Sequence, residues 1–284
     1  MRILITNDDS HSSPLLEIAV EYFSKLGEVH LIVPLHEQSW TGKSMTRFNP
    51  VHVHRAELYG HAASYVGGTP ADCVNLGIYN LMDTKPDLVV SGINAGFNIG
   101  VGFILSSGTV GACLEANLAH IPAIALSQAF DTATRNRYMA EYMIEAAQRQ
   151  IFREQSFKVL DRVTGALFSN AAKADTLACP ITWNVNLPFN LCDPEVLKVA
   201  PIGATRYGRC FIEEPLLEGS QIRTFRHAKI DEVRDPDPRC DSSQIQNGCA
   251  TISPLDLWGI SGSGQDKKIE HILAGFAPSA NTTA

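Results

Sequence analysis

Hydrophobic positions in the first half of the chain switch repeatedly between two periods. Residues 2–6 (RILIT) and 29–34 (VHLIVP) are apolar runs of strand length, as parallel strands buried on both faces should be. Between them, residues 14–26 (PLLEIAVEYFSKL) set Leu15, Ile18, Ala19, Tyr22, Phe23 and Leu26 at helical spacing, with Pro14 near the first turn and Gly27 as the stop. VHVHR (51–55) alternates and predicts a half-exposed strand. Thr69-Pro70-x-Asp72 opens a helix through about Leu81, because Thr is a good N-cap and Pro suits the first helical position. DLVVSG (87–92) and AIALS (123–127) are further buried strands, flanking a helix at 109–120.

Strand–helix–strand repetition of these lengths implies parallel βαβ units with right-handed crossovers, hence an α/β fold. Residues 133–150 predict a polar amphipathic helix and TWNVNLP (182–188) one more strand. From about 200 the pattern loosens. Residues 213–247 are charged and turn-rich, TISPLDL (251–257) is a late strand, and PSANTTA (278–284) is expected to be a disordered tail.

Composition narrows the function classes. The chain has 284 residues, 45% hydrophobic and 19% charged, which suits one large or two small globular domains. A formal net charge of −7 disfavours nucleic acid polymers as partners. Small anionic substrates stay open, because a bound divalent cation inverts the field locally. Seven cysteines form no C-x-x-C pair and are odd in number, the pattern of reduced thiols in a cytoplasmic protein. MRILITNDD has no signal-peptide core. No stretch reaches the roughly 18 apolar residues of a membrane span, so no membrane partner is expected. Residues 87–127 come nearest, interrupted by glycines, Asn94, Asn98 and Glu115.

Parallel strands of such a sheet end on one side, and ligands bind in the crevice outside those ends. Asp8 and Asp9 follow the first strand, Ser39 lies in the loop after the second, and Asn94 lies just past DLVVSG. All their donor atoms are oxygens and two are anionic, a set for a hard cation such as Mg²⁺ or Mn²⁺. So few protein ligands would leave positions for water or phosphate, as metal-assisted hydrolysis needs. The competing reading is that one carboxylate caps the helix beginning near Pro14, although this leaves the second unexplained.

A second cluster joins SGINAGFNIG (91–100) to SSGTVGA (106–112). Its glycines admit close backbone approach, and the helix that SGTV opens offers free N–H groups and a positive dipole end to a phosphate. Ser107 and Thr109 would add hydroxyls; alternatively the serine is an ordinary N-cap. SWTGKS (39–44) is no Walker A loop, since Glu37 stands where its first glycine belongs, and GINAGFNIG lacks the dinucleotide fingerprint. Adjacent aspartates also lack the D-x-D spacing of an aspartyl-phosphate enzyme, because neighbouring side chains diverge. His11, two residues past Asp9, is a weak candidate acid. Tyr65, Phe97 and Phe103 suit either base stacking or the core.

NDD (7–9), P-x-x-x-Q-S (34–39), GTPADCV (68–74), SGIN-x-G-x-N-x-G (91–100), SGTV-x-A (107–112), N-V-N-x-P (184–188) and T-I-S-P-L (251–255) occur in this order. Together they resemble the survival protein E (SurE) family of metal-dependent phosphatases, over nearly the whole chain. The resemblance implies a Rossmann-like three-layer α/β/α fold with a mostly parallel sheet and a protruding C-terminal arm that exchanges between subunits. It also implies hydrolysis of nucleoside 5′- or 3′-monophosphates to nucleoside and phosphate, with one divalent cation per subunit, Mg²⁺ or Mn²⁺. Carried over by motif position, the metal ligands are Asp8, Asp9, Ser39 and Asn94, with Asp8 and Asp9 catalytic through a metal-activated water. Phosphate contacts fall on Asn98, Ser107, Gly108 and Thr109.

The expected organisation is a single phosphatase domain over 1–265, including an arm at 213–250 for oligomerisation, and a C-terminal segment at 266–284. The arm is too polar and irregular for its own core, so a homo-oligomer, dimer or tetramer, is expected. Two positions depart from the family pattern: Ser10 replaces the glycine after NDD and Leu15 replaces a second glycine. If position 10 needs a positive φ, serine adds roughly 1 kcal/mol of strain. VGFILSS (101–107) also lacks the usual tyrosine before SGTV and is one residue longer. These departures leave a catalytically weak or silent nucleotide-binding paralogue as the alternative.

Overall fold

Strand β1 (Arg2–Thr6), helix α1 (Leu16–Phe23) and strand β2 (Glu28–Pro34) form the expected opening unit of the computed structural model, which describes residues 1–215, 221–228 and 231–276. β3 (Val53–Leu58) and β4 (His61–Val66) follow as a hairpin. Its Tyr59-Gly60 turn has φ of 53° and 77°, the twist that suits a two-residue connection. Helix α2 (Pro70–Leu76) runs into a π turn at Gly77–Leu81, and β5 (Leu88–Ala95), α3 (Gly100–Ser106), α4 (Gly108–Leu118) and β6 (Ala123–Gln128) come next. Helices α5 (Thr132–Glu141), α6 (Ala146–Leu167) and α7 (Lys173–Leu177) precede β7 (Thr182–Leu187). The last part holds β8 (Leu197–Val199), β9 (Arg206–Tyr207), β10 (Phe211–Glu213), β11 (Phe225–His227), β12 (Glu232–Val233), α8 (Asp241–Gln246), β13 (Ala250–Leu255) and α9 (Asp266–Ala274).

Among the described residues one sheet has nine strands, ordered β3-β4-β2-β1-β5-β6-β7-β13-β8. Pairing is parallel from β4 through β7 and between β13 and β8. It is antiparallel between β3 and β4 and between β7 and β13. Successive side chains face opposite sides, and the core divides accordingly. Ile3, Ile5, Val90 and Leu126 join Leu15, Phe23, Phe152 and Val163 on the side of α1 and α6. Leu4, Val89 and Ala125 join Cys73, Val74, Val110 and Cys113 on the side of α2 and α4. Each of the Val, Leu, Ile and Phe side chains contributes roughly 1.5–3 kcal/mol when fully buried. Three layers result, as an α/β/α reading expects. Among the described residues, no single helix is long and apolar enough to cross a membrane.

Several elements differ from the sequence reading. The half-exposed strand expected at 51–55 sits at Val53–Leu58, and its partner β4 escapes detection because HAASYV mixes small and polar residues. The helix expected over 133–150 is two helices: Tyr142, at a left-handed φ of 53°, ends α5. α6 then continues to Leu167, with Phe152, Val159, Leu160 and Val163 on its buried face. The loose region from about 200 contains α8 and, through β9–β12 and β10–β11 pairing, two small antiparallel ribbons. The tail at 278–284 lies outside the described residues.

Candidate active site

Asp8 and Asp9 leave the end of β1 as buried carboxylates, each 3% exposed. Neither caps α1: its N-cap position is Leu15, with no side-chain hydrogen bond. The loop instead turns at Ser10, whose φ is 70° and whose carbonyl accepts from the Asn7 amide at 2.8 Å and the Ser13 N–H at 3.3 Å. The carboxylates therefore point into the sheet rim. Asp8 Oδ1 accepts the Thr109 hydroxyl at 2.6 Å, and Asp9 Oδ2 accepts the Ala95 N–H at 2.8 Å.

Both groups resist ionisation. Burial pushes Asp8 up to about 6, against the opposing Thr109 hydrogen bond. Asp9 is raised well above the usual carboxylate range, by burial first and then by the charge of Asp8. Glu37 adds further negative potential to both, so the charges acting on this pair are all of one sign. Tyr138 of α5 is buried beside Asp9; burial and that carboxylate raise its own pKa, so it stays a phenol that can donate. A buried carboxylate pair facing only like charge fits a small hard cation. Ser39 and Asn94 line the same cleft as Asp8 and carry a hydroxyl and an amide oxygen that could join such a donor set. Among the described residues no three His, Cys, Asp or Glu side chains cluster for a metal, so any cation here would need that hydroxyl and amide.

Three loops bring these residues together. Ser39 is positioned by the Gln38 N–H, which donates to the Asp8 carbonyl at 2.7 Å, and by the Gly42 N–H, which donates to Ser106 at 2.9 Å. Farther along the same loop, Lys43 pairs with Glu115 at 2.5 Å, and Thr46 donates its N–H and hydroxyl to Asp72. Asp72 also completes the capping box of α2 with Thr69. Asn94 is turned by a bulge in β5, where pairing with β6 slips between Ser91 and Asn94. Gly92 permits the slip: its φ is 126°, and a Cβ there would meet the Leu126 carbonyl at 2.3 Å.

Asp8, Ser39, Asn94, Asn98 and Ser107 line one cleft of about 150 Å³. Gly108 sits behind it, where a Cβ would come 2.9 Å from Asp8 Cβ and 3.0 Å from the Gln38 carbonyl. Ser107 accepts from the Val110 N–H at 3.1 Å and is thus the N-cap of α4, while it also lines the cleft. Thr109 is fully buried with its hydroxyl committed to Asp8. His11 stacks on Tyr65 with centroids 4.4 Å apart and does not line the cleft. Phe97 and Phe103 do line it, together with Trp40.

Sequence reasoning missed the clamp on Asn98. Its N–H donates to Asn186 Oδ1 at 2.8 Å, its amide to Ser127 at 2.9 Å, and its carbonyl accepts from Asn184 at 2.8 Å and Asn186 at 3.2 Å. The available signal was the asparagine at alternate positions of a buried strand, 184 and 186, which places two amides on one face. Asp241 was missed likewise: fully buried, it accepts from Gly100 at 2.8 Å and Gly203 at 2.9 Å and fixes the start of α3.

The chain as a whole has counterparts among known proteins. The family model for survival protein SurE matches residues 3–211. The chain belongs to the SurE family. Among its relatives, a 5′-nucleotidase SurE of Methanopyrus kandleri is 37% identical over 262 residues, 90% of this chain and 91% of the relative. One of Methanocella arvoryzae is 36% identical over 278 residues, 96% and 97% of the two chains. The crystal structure of the SurE protein from Aquifex aeolicus superposes with a TM-score of 0.67 at 25% identity, covering 96% of this chain and all of that one. The SurE fold accounts for the three layers.

Proposed function

We propose that this SurE-family chain is a phosphomonoesterase that hydrolyses nucleoside 5′- and 3′-monophosphates to nucleoside and phosphate, with one Mg²⁺ or Mn²⁺ per subunit. The observation that carries the reading is the buried Asp8–Asp9 pair, acted on only by negative charge, beside a cleft that Ser39, Asn94, Asn98 and Ser107 share. The relatives' activity points the same way.

Asp8, Asp9, Ser39 and Asn94 would hold the cation, which supplies Lewis-acid polarisation of the phosphoryl group and a lowered pKa for water. The chain's own residues do the rest. Ser107, with the positive end of α4 behind Gly108 and Thr109, meets the charge of the transferring group. Thr109 holds Asp8 in the orientation its carboxylate needs. The Asn98 amide is oriented by Ser127 and its backbone by Asn184 and Asn186, so it can meet a phosphate oxygen without reorganising. Whichever carboxylate faces the attacking water accepts its proton.

Two finer parts of the reading have their own support. Seven free cysteines are among the described residues, which favours a cytoplasmic setting. The β10–β11 ribbon leaves Phe211 and Phe225 exposed, and the β9–β12 ribbon Val233, which favours a homo-oligomer.

Phosphate release from AMP with Mn²⁺, Mg²⁺ or EDTA tests the activity. Turnover with either metal, none with EDTA, and loss of at least about 10³-fold in Asp9→Asn are expected. Near wild-type turnover in Asp9→Asn at saturating Mn²⁺ refutes the mechanism. AMP binding with no phosphate released identifies the silent paralogue instead.

A further inference from the structure

We infer that Trp40 and Phe97 form a stacking platform for the base of a purine nucleotide, an inference that rests on the nucleotidase reading. The cleft beside Asp8 holds about 150 Å³. Sites that enclose a whole organic ligand start at about 300 Å³. A phosphate and part of a sugar fill the cleft, so the remainder of a nucleoside monophosphate lies on its rim. That rim is aromatic: Trp40, Phe97 and Phe103 line the cleft alongside Ser39, Asn94 and Ser107. Trp40 is 42% exposed and Phe97 39%, which leaves wide apolar faces for a flat partner to cover.

The setting of Trp40 is specific. Its φ is 62°, a left-handed conformation that a bulky residue adopts only when its surroundings hold it there. Tyr207 and His227 hold the indole at centroid distances of 5.0 Å and angles of 60° and 59°, and Phe103 at 6.3 Å and 69°. All three contacts are tilted or edge-on, so the indole is fixed without a parallel stacking partner. Phe97 has no ring partner among the described residues. It directly precedes Asn98, whose backbone is bonded to Asn184 and Asn186, so its backbone anchor is rigid. Two exposed rings on firm anchors, one step from the phosphate end of the cleft, suit base stacking. A purine offers more area than a pyrimidine and gains more from it.

The test compares AMP, CMP and glycerol 2-phosphate as substrates, with Mn²⁺, for the wild type, Trp40→Ala, Trp40→Phe and Phe97→Ala. In Trp40→Ala the ratio of kcat/KM for AMP to that for glycerol 2-phosphate falls by about tenfold or more, mainly through KM. The preference for AMP over CMP shrinks with it, Phe97→Ala shifts both in the same direction, and Trp40→Phe restores most of the ratio. AMP and glycerol 2-phosphate falling together, or neither falling, overturns the platform and leaves the nucleotidase reading standing. A wild type that releases phosphate from no ester refutes that reading by itself. Fluorescence then decides the platform: AMP quenches tryptophan emission in the wild type and not in Trp40→Phe, and equal quenching in the two overturns it.

Discussion

The Thr109 hydroxyl donates to Asp8 Oδ1 across 2.6 Å, joining the loop after β1 to the first turn of α4. Thr109→Val removes the donor and keeps a β-branched side chain. Asp8 then loses the hydrogen bond that opposes the effect of burial, and its pKa climbs above about 6. At neutral pH the expected loss in kcat/KM for AMP is about 10–100-fold, in line with one hydrogen bond to a charged group. The acidic limb of the pH–rate profile moves to higher pH; an unmoved limb refutes the role.

Burial of the two carboxylates also sets a pH dependence of stability. Asp8 titrates near 3.8 when exposed and near 6 in the folded chain, and Asp9 is raised in the same direction. Across that interval the folded state binds more protons than the unfolded, so stability falls as pH rises through about 4 to 6. A cation that binds the ionised pair reverses the loss above this window. Scanning calorimetry with millimolar Mn²⁺ is expected to raise Tm by several degrees at pH 7.5 and by about one degree or less at pH 4.5. Equal shifts at both pH values contradict the assignment.

Ser10 supplies a third test, since its φ of 70° is where glycine rests without strain. Its hydroxyl makes only a 3.3 Å contact with the Ser12 N–H. Ser10→Gly is therefore expected to stabilise the fold by about 0.5–1 kcal/mol, a rise of roughly 1–2 °C in Tm. Urea denaturation measures it, and a lowered midpoint rules out strain at this turn.

Asn186 holds the backbone of Asn98 from a strand 88 positions away. Asn186→Ala leaves a buried N–H without its acceptor, which costs about 1–3 kcal/mol. If Asn98 meets the phosphate, KM for AMP rises as well; destabilisation with KM unchanged confines Asn186 to the fold.

The sequence was most legible where local and tertiary demands agree. β1, β2 and β6 lie within one or two residues of their expected positions, because apolar runs of this length between helices suit buried parallel strands. The sequence left open whether position 10 takes a positive φ; it does, at 70°. Legibility failed where small or polar residues form buried structure: β4 pairs Ala62 and Ala63 against β3, and Asn184 and Asn186 are fully buried in β7 as hydrogen-bonding groups. The meeting of Asp8, Ser39 and Asn94 follows from sheet topology and was readable. Trp40 was not, because its role depends on Tyr207 and His227, which no local pattern connects to it.

Strand β13 is made late yet lies between β7 and β8. Until residue 255 has left the ribosome, β7 carries an open edge, with unpaired backbone groups ready to adhere to another chain. The amides that steady Asn98 stand on that same strand. Residues through 255 must therefore be made before that edge is covered, and a chain cut before them exposes a sticky strand.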